Sequence, residues 1–145
     1  MMQGVVTERR DAILRIVLCN ANGLQQTYDT VVDTGYNGWL TLSSELISSL
    51  GFRWQRFGRA LLADGSESVF NVYEGTIIWD GQRLNVDIVE LDADALVGMS
   101  LMYGYGLVLP VLSGATFLIR KIDWLMAASP DRYSQNLRTK PEAVR

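Results

Sequence analysis

Apolar and polar residues along the chain fall into short runs broken by glycine-containing turns, a pattern of β-strands rather than of long helices. From Asp11 onward, residues 12–19 are rich in Ile, Leu and Val, and the Asn22-Gly23 pair that follows is a type I′ hairpin signal. The return strand, 25–32, carries the chain to Asp33-Thr34-Gly35, where the glycine allows a strand to end and a loop to begin. After 39–42, Ser43-Ser44-Glu45 offers a cap for a short helix over 46–50, and Gly51 sits where a helix end favours the left-handed conformation. Two further hairpins follow. One pairs 59–63 with 69–73 about Asp64-Gly65, and the other pairs 75–79 with 83–91 about Asp80-Gly81, both with type I′ chemistry. An acidic loop at 92–94 leads to Leu96-Val97-Gly98, a short helical stretch at 100–103, and strands near 107–109 and 115–121. The pattern is all-β with one or two short helices.

At 145 residues the chain has the size of one ordinary domain with its own core. The domain is assigned to residues 1–128. The tail, 129–145, is polar, contains Pro130 and Pro141 and lacks a sustained apolar period, so it is expected to be disordered or a loosely attached helix. A weak internal echo exists: Val31-Val32 before Asp33-Thr34-Gly35 and a helix is mirrored by Leu96-Val97-Gly98 and the 100–103 stretch, suggesting two half-domains of similar plan.

Composition narrows the chemistry. A net charge of -3 provides no basic surface for phosphate backbones, which argues against nucleic acid. The absence of histidine removes Ser-His-Asp and Cys-His catalysis and the usual zinc sites, so any enzyme here must work with carboxylates. The single cysteine, Cys19, lies in an apolar run and reads as a small buried hydrophobe. Residues 1–10 lack the apolar segment of a signal peptide, which with the lone thiol points to the cytoplasm. Residues 95–119 carry no charge and are long enough to span a bilayer. Gly98, Gly104, Gly106, Pro110 and Gly114 cut that run into pieces shorter than a spanning helix, which argues against a membrane role. The carboxylates Asp11, Asp29, Asp80, Asp87, Asp92, Asp94 and Asp123 show no metal-ligand spacing and read mostly as solvated surface charge. Of the aromatic residues, Tyr36 and Trp39 lie near Asp33 and are the candidates for lining a groove.

Asp-Thr-Gly alone is an ordinary turn sequence. Its placement is more informative. An apolar-apolar-Asp-Thr-Gly segment late in a hairpin, then a helix, a hairpin, and apolar-apolar-Gly near the far end resembles the retropepsin-like aspartic proteases, over roughly 12–121. Gly98-Met99-Ser100 is similar to the bacterial members. The resemblance implies a closed acid-protease barrel and an aspartic endopeptidase without metal or organic cofactor, acting on a peptide or protein substrate. It implies Asp33 as the catalytic carboxylate, Thr34 as the residue whose hydroxyl bonds across a twofold axis, and Gly35 as the close backbone approach. The turn Ala63-Asp64-Gly65-Ser66 matches the family's flap, and Tyr36 joins it in the substrate groove. The mechanism needs two carboxylates and the chain has one Asp-Thr-Gly, so the resemblance also implies a homodimer. Tyr36-Asn37 stands where retroviral members carry acidic residues, and Met99 where they carry the arginine that braces the active-site loop. These departures motivate a second reading, a peptide-binding or dimerisation module of the same fold without turnover. A third, from the apolar run, is a membrane-associated regulator.

Overall fold

The computed structural model describes residues 1–122. These residues form ten strands and one helix in the order β1 (Met2–Val6), β2 (Ala12–Cys19), β3 (Gln25–Val32), β4 (Leu40–Leu42), α1 (Ser44–Leu50), β5 (Arg53–Leu61), β6 (Glu67–Trp79), β7 (Gln82–Glu90), β8 (Leu96–Val97), β9 (Tyr105–Val108) and β10 (Thr116–Lys121). The strands make one sheet in the order β5-β6-β7-β4-β8-β3-β2-β1-β10-β9, and an extra pairing of β6 with β2 bends that sheet back on itself. The pairing runs from Val17, Leu18 and Cys19 to Ile78, Ile77 and Thr76, so β2, β3, β8, β4, β7 and β6 close into a ring. The expected closed all-β barrel is this ring; β5 lies outside it on one side, and β1, β10 and β9 on the other.

Alternation along the strands fills the ring. Leu14, Ile16 and Leu18 of β2 point inward with Leu40, Leu42, Ile77, Ile88 and Val97, and all are at most 3% exposed. Each such side chain contributes roughly 1.5–3 kcal/mol by leaving water. Helix α1 closes one end with Leu46, Ile47 and Leu50. The Ser43 hydroxyl accepts from the Leu46 amide at the helix start, and Gly51 ends it in the left-handed conformation, as the sequence predicts. Cys19 is buried, in keeping with its reading as a small hydrophobe.

Three expectations are corrected. The helical stretch at 100–103 is a series of turns: the Met102 amide reaches Gly98 at 3.3 Å, but the Tyr105 amide then closes on Met102, and Gly104 at φ 85° stops propagation. Of the three turns expected to be type I′, only Asp80-Gly81 has positive φ at both residues, 49° and 78°. At Gly23 and Gly65 the glycine alone is left-handed, and the loops are longer than two residues. Strand β1 was not expected, and it pairs with β10 from the far end of the described chain. No helix among the described residues is long and apolar enough to cross a membrane, and residues 95–119 contain strands and turns. The expected tail, 129–145, and Asp123 lie outside the described residues.

Candidate active site

Asp33 follows the last residue of β3, where that strand runs parallel to the two-residue strand β8 with Val31 beside Leu96 and Val32 beside Val97. So short a strand needs outside support. The Val31 amide donates to Ala95 at 2.7 Å, the Asp33 amide donates to Val97 at 2.9 Å, and the Leu96 amide donates to the buried Thr41 hydroxyl at 2.8 Å. These bonds join the two ends of the sequence echo. Asp33, Thr34 and Gly35 emerge from them as a turn, closed by the Tyr36 amide donating to the Asp33 carbonyl at 3.2 Å.

The Asp33 side chain is half-exposed, and its Oδ1 accepts from the Gly35 amide at 2.9 Å. Thr34 and Gly35 are exposed. A carboxylate held at a fixed angle, with an oxygen still open to solvent, can accept a proton from a water molecule. Among the described residues no group of three or more His, Cys, Asp or Glu side chains converges to hold a metal.

Tyr36 lies less open than its assignment to the groove predicts. Its ring packs across Gly38 and Gly98, and its phenol oxygen is buried without a hydrogen-bond partner among the described residues. Burial, then the charge of Asp87, pushes the Tyr36 phenol above its ordinary range. A Cβ on Gly98 would overlap the Gly38 carbonyl oxygen and lie 2.6 Å from Tyr36 Cδ1, so only glycine fits there.

A cleft opens beside this loop, lined by Tyr36, Trp39 and Ser100 on one side and by Arg56, Phe70 and Val89 on the other. The register of β5 and β6 sets its far wall: Gly58 lies opposite Phe70, whose ring fills the space a Cβ would take. Arg56 bonds Asp87 of β7 at 3.0 Å, tying the hairpin base to the ring. The turn 62–66 caps the same hairpin. Asp64 Oδ1 there accepts from the amide and hydroxyl of Ser66, which holds its carboxyl below the usual carboxylate range.

The structure therefore places Asp33, Thr34, Gly35 and Tyr36 in one loop, and Ala63, Asp64, Gly65 and Ser66 at the tip of the β5–β6 hairpin. Of these residues the cleft includes Tyr36 alone. Arg56, Phe70, Val89 and Ser100 were missed. For Phe70 and Val89 the alternation within β6 and β7 carried a usable signal; for the Arg56–Asp87 pair, far apart in sequence, nothing local did.

No protein-family model and no curated protein matches the chain. Among solved structures, the crystal structure of a retropepsin-like aspartic protease from Rickettsia conorii superimposes with a TM-score of 0.53 at 15% sequence identity, covering 83% of this chain and 89% of that one. With a closed ring of strands and one short helix among the described residues, the chain has an all-β, retropepsin-like fold.

Proposed function

We propose that the chain is an aspartic endopeptidase whose active site forms when two copies bring their Asp33 residues to one twofold axis. The observation that carries this reading is the Asp33 loop: a carboxylate with a solvent-facing oxygen, held by backbone bonds to β8 inside a retropepsin-like fold. One carboxylate takes a proton from the attacking water while the other, protonated, donates to the scissile carbonyl oxygen; that two such groups share one proton is established for aspartic proteases as a class. Thr34 supports the loop across the axis, and the Gly35 backbone approaches the water and substrate. The β5–β6 hairpin with Ala63, Asp64, Gly65 and Ser66 at its tip serves as a flap over an extended peptide, whose side chains enter the cleft beside Tyr36. No metal or organic cofactor takes part in this scheme.

The test is cleavage of a diverse peptide library by wild type and Asp33→Asn, from acidic to neutral pH, at protein concentrations where sedimentation shows dimer. Cleavage by wild type alone, strongest on the acid side, is the expected result. Activity retained in Asp33→Asn, or a fully folded wild type that stays monomeric at high concentration, would sink the proposal. Absence of cleavage by either form would leave a peptide-binding module as the better reading.

A further inference from the structure

The segment that follows Asp33-Thr34-Gly35 is held by an interlock with the loop after β8. Four consecutive carbonyls each accept one hydrogen bond from three consecutive residues: Tyr36 from the Met99 amide at 2.8 Å, Gly38 from the Ser100 amide at 3.1 Å, Trp39 from the Gly98 amide at 3.0 Å, and Asn37 from the Ser100 hydroxyl. Three donors are backbone amides, which ordinary substitutions leave in place. The fourth is a side chain, so Ser100 grips two adjacent carbonyls and supplies the one rung that chemistry can remove.

We propose that Ser100 is a positioning residue for Asp33, acting through the bond from its hydroxyl to the Asn37 carbonyl; the inference rests on the protease reading above. The path is short. Tyr36 lies between the two, its amide on the Asp33 carbonyl and its carbonyl on the Met99 amide. Its ring is wedged between Gly38 and Gly98, so the 36–39 turn and the 98–100 loop move as one piece. Loss of the Ser100 hydroxyl releases the Asn37 peptide, and the resulting shift reaches Asp33 through the 3.2 Å bond from Tyr36. The brace is neutral, with Met99 exposed beside it, so it holds at acid pH, where a carboxylate-dependent brace weakens.

Displacing a reacting group by about 1 Å costs roughly a hundredfold in rate. Ser100→Ala is therefore expected to lower kcat about ten- to a hundredfold with KM nearly unchanged, in a protein that still dimerises and unfolds cooperatively, and Ser100→Thr, which restores a hydroxyl, to recover most of it. The amide resonances of Asp33 and Gly35 are expected to shift in Ser100→Ala and return in Ser100→Thr, a readout that needs no activity. A Ser100→Ala protein with wild-type kcat and unshifted Asp33 and Gly35 resonances would overturn the brace. Equal loss in both variants would do the same. If wild type cleaves nothing, the protease reading fails, and the resonances alone decide whether Ser100 positions the loop.

Discussion

The amide of Asp33 donates to the carbonyl of Val97 at 2.9 Å, so the residue proposed for catalysis is anchored through its backbone. Among the described residues its side chain has one partner, the Gly35 amide, whose hydrogen bond an asparagine oxygen can also accept. Asp33→Asn is thus expected to change stability by less than about 0.5 kcal/mol, as measured by urea unfolding, while removing cleavage. A large loss of stability would mean that the carboxylate serves the fold.

Thr41 is 2% exposed, and its hydroxyl accepts from the Leu96 amide at 2.8 Å, the bond that fixes the start of β8. Thr41→Val keeps the shape and strands that amide. The expected cost is about 1–3 kcal/mol. Thermal unfolding checks the stability, and the resonances of Leu96 and Val97 report whether β8 has shifted.

The phenol oxygen of Tyr36 is buried with no partner among the described residues, whereas its ring fills the space left by two glycines. Removing the oxygen alone relieves an unsatisfied polar group, so Tyr36→Phe is expected to leave stability unchanged or raise it by about 1 kcal/mol. Tyr36→Ala removes the wedge and is expected to destabilise by at least about 2 kcal/mol. Equal losses in the two variants, measured by chemical denaturation, would contradict this account.

Asp92 accepts from both the amide and the hydroxyl of Ser44 at 2.9 Å, and these bonds hold its carboxyl below the usual range. A depressed folded-state pKa contributes stability that is present above the unfolded value and lost as pH falls through the folded one. Asp92→Ala is therefore expected to lower the melting temperature more at pH 7 than at about pH 2.5. An equal difference at both pH values would show that the carboxylate charge has no part in it.

Local chemistry made much of this fold legible. The strands over 12–19 and 25–32 have the observed bounds because their apolar runs are long and bounded by clear turns, and α1 ends at Gly51 as read, although it starts at Ser44, directly after its Ser43 cap, rather than at 46. Strand β1 escaped because Met2 to Val6 shows little pattern of its own; its place is set by pairing with β10, across nearly the whole described chain. The 100–103 helix failed because one reaching bond to Gly98 cannot nucleate a helix that Gly104 ends at once. At the site, the link between Leu96-Val97-Gly98 and the Asp33 segment was visible as an echo in sequence, whereas the Ser100 hydroxyl bond and the Arg56–Asp87 pair depend on how distant segments meet.

Strand β6 is continuous from Glu67 to Trp79, yet its two ends are held very differently. Residues 67–71 pair with β5 alone, whereas residues 76–78 are bonded to β7 on one side and β2 on the other. A single strand thus spans two levels of protection, and its amides are expected to exchange with solvent deuterium quickly near Glu67 and only on global unfolding near Ile77. Val72, where β7 first joins, marks the boundary between the two levels.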